Sequence, residues 1–304
     1  MKKYIVVFLI GIVAFGFFKL KFNPESILLR HLEKKYNKEF VIAYGGKRSI
    51  GISSWYEAEI YPKELVGTPK EKDKYYWAKG FVENGKGGDT YGKVLLNESA
   101  NNFYLPKLKE LFGENVLPVL DLKGGYIEED YVKEMELRNK LYKERPDGNF
   151  NPLSGGIYIF GRVESDEDRE WYRKQIYEFV QFMKETGTFE YVDLDILVVD
   201  SRELISTPRK LLENLPKNLS VEEWRKQRRV LMKAGNKEFN NMTQEELSEK
   251  INSINKSEYL KEFYGGLLGI KVYSPKYIKS QGLDNREVRE YNSITDVRFD
   301  WEMW

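Results

Sequence analysis

The sequence predicts an α+β protein: an N-terminal transmembrane or signal-anchor helix, then two small α+β units whose sheets are antiparallel or mixed. Three observations carry that expectation. Short aromatic and β-branched runs alternate with capped stretches of helical periodicity, in a chain holding 21 Tyr and 17 Phe. Residues 144–156, ERPDGNFNPLSGG, gather two prolines, three glycines and two asparagines, a composition that keeps chain out of regular structure. That stretch divides a unit over 23–145 from a unit over 156–304. The first twenty-two residues, MKKYIVVFLIGIVAFGFFKLKF, are uncharged and mostly apolar from Tyr4 to Phe18.

Lys2 and Lys3 precede that apolar run, and Lys19 and Lys21 close it. Fifteen helical residues rise about 22 Å, short of a hydrocarbon core of about 30 Å. Leu20 and Phe22 lengthen the apolar face and flanking lysines reach the headgroups, so a thin span is feasible. The competing reading is a cleaved secretory signal. Its small-residue pair, Ala14 and Gly16, lies inside the apolar run and precedes Phe17 and Phe18, which favours an uncleaved anchor contacting the bilayer through residues 4–18. Lys2 and Lys3 argue for the N-terminus inside and the bulk of the chain extracytoplasmic, although Lys19, Lys21 and Arg30 offer comparable charge. The lack of cysteine fits a chain outside the cytoplasm.

Composition removes several chemistries. Lys+Arg and Asp+Glu stand at 49 and 48, without the basic excess of a nucleic-acid binder. With one histidine, His31, and no cysteine, Cys/His zinc sites and thiol chemistry are excluded. A Ser-His-Asp triad would need His31, which reads as a surface residue of the first helix. No cofactor or metal site is expected.

Asn23 as N-cap and Pro24 in the first turn open a helix to about Tyr36, with Ile27, Leu28, Leu32 and Tyr36 on one stripe. Strands follow at 39–44, 50–61 and 75–82, with Gly45-Gly46 as a break. A helix interrupted at Pro106 covers 90–112, a strand 116–122, and a charged helix 128–143. Past the boundary, 157–163 is a strand. Ser165 and Asp168 form a capping box for a helix burying Tyr172, Ile176, Phe179, Val180 and Met183, which Gly187 stops. Residues 191–199 make the next strand. Capping boxes at Ser220/Glu223 and Thr243/Glu246 open helices over 221–233 and 244–254, and a short helix covers 257–264. Strands at 267–273 and 294–301 close the chain. GFVEN at 80–84 echoes GRVES at 161–165, each ahead of a helical region, which raises an internal duplication.

Several constellations invite chemistry. GFVENGKG at 80–87 approaches a phosphate-binding loop, but Gly87 stands where Ser or Thr would hold magnesium, so it reads as a connecting loop. In VDLDILVVD, strand alternation puts Asp193 and Asp195 on one face about 7 Å apart, a spacing suited to general acid and base work or to sharing a divalent cation. These are the candidate catalytic residues, against a solvated strand face; Asp200 closes the run. Arg225, Lys226, Arg228, Arg229 and Lys233 on one helix form a candidate anionic-ligand patch, blunted by Glu222 and Glu223. Trp55-Tyr56 and Tyr75-Tyr76-Trp77 offer stacking surfaces or cross-strand packing.

LLRHLEKKYNKEFVI at 28–42, AEIYPKE at 58–64, DTYGKVLL at 89–96 and LKELFGENV at 108–116 resemble a group of poorly characterised, signal-anchored α+β proteins of low-GC bacteria. The resemblance covers residues 1–122 at most and implies a bacterial, membrane-anchored chain without implying an activity. The combined expectation is a membrane-anchored extracytoplasmic binding or interaction module of the bacterial cell envelope. It would act on a protein or envelope partner, in an immunity-like or regulatory role. The alternative is a carboxylate-based hydrolase of envelope polymer using Asp193 and Asp195.

Overall fold

The computed structural model describes residues 23–125, 127–145, 151–216, 218–259, 266–283 and 289–303. It is an α+β fold with one four-stranded and one five-stranded sheet. The predicted fold class is corrected at its first element. Among the described residues no helix is long and apolar enough to cross a membrane. The segment 1–22, on which the predicted anchor falls, lies outside those residues.

Two compact units divide between Val94 and Leu95, not at residues 144–156. The reason is strand pairing: β5 (Val116–Leu122) hydrogen-bonds antiparallel to β6 (Leu153–Gly161) across the expected boundary. A break in local structure is not a break in a sheet.

In the first unit, α1 (Pro24–Tyr36) begins where the Asn23 side chain accepts from the Glu25 N–H at 3.1 Å, and ends at Asn37, left-handed at φ 52°. Leu28 and Leu32 are its fully buried residues. Four antiparallel strands follow as a meander: β1 (Phe40–Ile50), β2 (Ser53–Pro62), β3 (Ala78–Glu83) and β4 (Lys86–Asp89). Gly45 and Gly46 sit inside β1, opposite Ala58 and Glu57, rather than ending a strand. The missing side chain at Gly45 leaves room for the Tyr56 phenol, which donates to Glu25 at 3.1 Å.

GFVENGKG is a β-hairpin. Asn84 and Gly85 both take positive φ, 50° and 76°, as a two-residue turn between Glu83 and Lys86 requires. A side chain at Gly80 would strike Leu28, and one at Gly87 would strike the His31 ring, so these glycines let α1 lie close on the sheet. The echo with GRVES is therefore not structural: GFVEN turns a hairpin, whereas GRVES ends β6 and caps a helix.

Asp89, its side chain fully buried, fastens α1 to β4. It accepts from the Tyr36 hydroxyl at 2.6 Å and the Tyr91 N–H at 2.9 Å, lies 2.9 Å from His31 Nε2, and meets the Lys35 ammonium at 3.2 Å. Burial alone would raise its pKa. The Tyr36 and His31 contacts, the Tyr91 amide and the Lys35 charge overcome that and hold it below the ordinary value of 3.8. His31 thus serves this buried carboxylate, and among the described residues no hydroxyl nucleophile hydrogen-bonds to it.

The second unit is built on a sheet of order β5-β6-β7-β8-β9, with β7 at Val192–Asp200, β8 at Gly266–Tyr273 and β9 at Trp301–Glu302. Among the described strands only β6 and β7 run parallel, joined by the crossover helix Asp166–Glu185, whose Ser165–Asp168 capping box is formed. Tyr172, Ile176, Phe179, Val180 and Met183 of that helix share one core cluster with Val192, Leu194, Ile196 and Val198 of β7. β5 is an edge strand, and side chains of the helix Tyr91–Phe112 cover it. Asn101 accepts from the Leu120 N–H at 3.0 Å and Asn97 from the Leu122 N–H at 2.9 Å. The Ser220–Glu223 and Thr243–Glu246 boxes open helices Val221–Ala234 and Gln244–Asn252. The strand expected at 294–301 is replaced. Ser293 and Asp296 cap a 3-10 turn at Ile294–Asp296, and only Trp301–Glu302 pairs with β8.

Two stability predictions follow from these contacts. Asp89→Ala should destabilise by about 1–2 kcal/mol at pH 7, since Tyr36, His31 and the Tyr91 amide lose the acceptor they share in part-buried hydrogen bonds. Because the folded pKa of Asp89 lies below the unfolded one, its stabilisation is complete above pH 3.8 and fades as pH falls through the folded value. Urea unfolding of wild type and variant should therefore converge in acid, and a pH-independent gap would refute the assignment. Asn101→Leu should cost about 1–3 kcal/mol by orphaning the Leu120 amide; unchanged hydrogen-exchange protection at Leu120 would disprove it.

Candidate functional site

The strand β7 changes character along its length. Val192, Leu194, Ile196 and Val198 are buried on one face, while on the other Asp193 and Asp195 give way to Leu197 and Val199. Both candidate aspartates therefore share the face the alternation predicted, and that face opens at the start of the strand. Asp200 does not join them. At the far end it is buried and held by the Arg202 guanidinium through two bonds of 2.8 and 2.7 Å.

Antiparallel pairing sets Lys271 of β8 opposite Asp195, and Tyr273 opposite Asp193. The Lys271 ammonium stands 3.8 Å from Asp193 Oδ1 and 3.9 Å from Asp195 Oδ1, so one cation serves both carboxylates. Tyr277 donates to the other oxygen of Asp193 at 3.1 Å, and its ring stacks on Tyr273 at 5.9 Å between centroids and 8° between planes. Burial pushes the Asp195 pKa up, Asp193 and Asp300 push the same way, and Lys271 opposes them. For Lys271 itself burial acts downward, but Asp195 and Asp193 prevail and raise its pKa.

Beside this pair lies a cavity of about 430 Å³. Asp195, Lys271, Arg289 and Asp300 supply its charges; Tyr273, Tyr291 and Trp301 its aromatic walls; Leu197, Ile270 and Ile278 its apolar surface. Asp193 does not line it. Asp300 accepts from the Lys271 N–H at 2.6 Å and from Arg289 at 3.1 Å, while Arg289 also donates to the Arg298 carbonyl at 2.8 Å. Gly269 has a specific part here, because any side chain there would collide with the Trp301 indole. Burial raises the Tyr291 phenol to about 12, so it remains a neutral wall at physiological pH.

The predicted basic patch separates into two faces. Arg228 is buried, pairing with Glu203 at 2.7 Å with its guanidinium 5.8 Å from the Trp224 ring centre. Arg225 donates to the Glu302 carbonyl at 2.8 Å and points its Nε at the Met303 sulfur. Lys226, Arg229 and Lys233 are exposed on another side of the helix. At 100° per residue, five cations within nine positions cannot share one face. Of the aromatic runs, Trp77 packs internally: it stacks on Tyr61 at 5.0 Å and donates to the Glu71 carbonyl. Among the described residues no group of three or more His, Cys, Asp or Glu could hold a metal ion.

Sequence reasoning passed over Lys271, Arg289 and Tyr273. The available signal was Lys271, a single charge inside the apolar strand GLLGIKVY.

No protein-family model matches this chain, and no curated protein matches it. Among solved structures, the crystal structure of a DUF5037 family protein from Ruminococcus gnavus ATCC 29149 is similar at a TM-score of 0.37 and 14% identity. The match covers 66% of this chain and 84% of that one. The likeness is to a distant, poorly characterised protein, and at that score it carries no argument about activity.

The raised pKa of Asp195 gives a signed prediction. Its folded value lies above the ordinary 3.8, so the linked stability is full below that value and is lost as pH rises through the folded one. Asp195→Asn should be neutral or stabilising at pH 7 and lose that advantage in acid, as followed by thermal melts across pH. A variant less stable than wild type at pH 7 by more than about 1 kcal/mol would show that the Lys271 pairing, not burial, dominates.

Proposed function

We propose that this chain is a binding module whose second unit takes a small polar ligand, uncharged overall and of sugar-ring size, into the cavity between β7, β8 and β9. The observation that carries this reading is the balance of charge around that space. Two carboxylates, Asp195 and Asp300, face two cations, Lys271 and Arg289, beside aromatic surfaces from Tyr273 and Trp301. Such a wall offers donors and acceptors to hydroxyl groups and flat faces to ring C–H bonds, while favouring neither an anion nor a cation. Its volume lies within the range of small-molecule sites, about 300–1,000 Å³. The charged groups already pair with one another, so a ligand would exchange hydrogen bonds without stranding a buried charge.

A second reading, hydrolysis, has one specific observation in its favour. Asp195 lines the cavity with a raised pKa, as a general acid requires, and Asp300 is the other carboxylate there. In that case Asp193, tied to Tyr277 and Lys271 and set off the cavity, would position rather than react.

Tryptophan fluorescence titrations with glucose, galactose, N-acetylglucosamine and its short oligomers, and neutral amino acids test the proposal. At least one probe should saturate. Arg289→Gln and Lys271→Met should each weaken it about tenfold, the cost of one charge-assisted hydrogen bond, while Asp193→Asn changes it less than about twofold. Absence of saturation by every probe would reject the binding reading. Release of reducing ends from the oligomers, abolished by Asp195→Asn, would establish the hydrolase instead.

A further inference from the structure

The β1–β2 hairpin of the first unit projects beyond the sheet that carries it. β2 pairs with β3 only from Tyr56 to Ile60, whereas its pairing with β1 continues to Ile50 opposite Ser53. Residues 47–54 are exposed throughout. At the tip Ile50 is 75% exposed and Ile52 wholly so, on either side of Gly51, whose φ of 58° makes the turn. Two large aliphatic side chains standing in water at a turn run against ordinary hairpin chemistry, where polar residues fill such positions. Beneath them stand Lys47 and Arg48, which form no ion pair among the described residues, and residues 45–55 contain no acid. Over the whole chain 49 cations stand against 48 acids, so an acid-free stretch carrying two cations departs from the average.

We propose that this tip inserts into an anionic lipid surface, with Ile50 and Ile52 entering the interface and Lys47 and Arg48 meeting the headgroup phosphates. The order along the hairpin, apolar point then cations, is the order an interface demands. The shape fits as well. A two-stranded ribbon that projects beyond its sheet can sink a short way between headgroups. Insertion must be shallow, because the unpaired edge amides of the ribbon need water or phosphate oxygens to bond with. A protein strand added along that edge is the competing occupant. It would use the backbone ladder, however, and would leave both isoleucines at the end of the ribbon uncovered.

The absence of native cysteine permits a local readout on the full chain. Ile52→Cys labelled with an environment-sensitive dye is compared with the same label at Val66→Cys, also exposed in the first unit. Vesicles of equal phosphatidylglycerol and phosphatidylcholine should shift the emission at position 52 to the blue and leave position 66 unchanged. Bilayer contact made elsewhere in the chain would not distinguish the two labels in this way. Lys47→Ala and Arg48→Ala should each lower formation of the shifted state roughly fivefold, the effect of one interfacial cation. An unshifted label at position 52 would overturn the proposal and return the hairpin to a protein partner. So would equal shifts at both positions, or an equal shift on phosphatidylcholine alone.

Discussion

The pleat of β7 is the constraint from which the second unit is built. Its even-numbered residues from Val192 to Val198 must be covered, and the crossover helix covers them with Ile176, Phe179, Val180 and Met183. A parallel neighbour requires that crossover, so the β6–helix–β7 arrangement and the core are one event. Because side chains alternate, burying one face aims Asp193 and Asp195 at the other. A register slip of one residue would bury both carboxylates, which makes the register strongly specified. The cavity is in this sense a by-product of the core.

What β7 presents, β8 and β9 complete. Pairing delivers Lys271 to both aspartates, and the short final strand brings Asp300 and Trp301 over Gly269. The resulting carboxylates and cations lie close enough to pair, Lys271 with Asp195 and Arg289 with Asp300. The first unit solves a similar problem differently. There a buried carboxylate, Asp89, is kept charged by converging donors, and its role is to hold a helix on a sheet. Opposite pKa directions at Asp89 and Asp195 express that difference: one carboxylate is satisfied as an anion, the other is only partly compensated.

Much of the local structure was legible in the residues. Capping boxes at Ser165, Ser220 and Thr243 open helices where their chemistry places them, and the alternation of VDLDILVVD fixed which side chains share a face. Other signals were ambiguous for physical reasons. Gly45-Gly46 resembles a turn, yet a strand accepts glycine where an aromatic ring crosses it. Asn84-Gly85 is a strong hairpin signal that a phosphate-loop pattern overlaid. The basic residues of Val221–Ala234 formed a cluster in sequence but not on a helix surface.

By itself the sequence determined the α+β class of the described chain, the lack of residues for thiol chemistry or a Cys/His zinc site, the main helix starts, and the common face of Asp193 and Asp195. All of these depend on residue type or on contacts within a few positions. Tertiary structure alone decided that the units divide at Val94, that β5 pairs across the proline-rich segment, and that Lys271, Arg289, Asp300 and Trp301 converge on Asp195. Those facts rest on pairings between residues far apart in the chain. Periodicity reports which face of an element is apolar, but it does not report which other element will cover it.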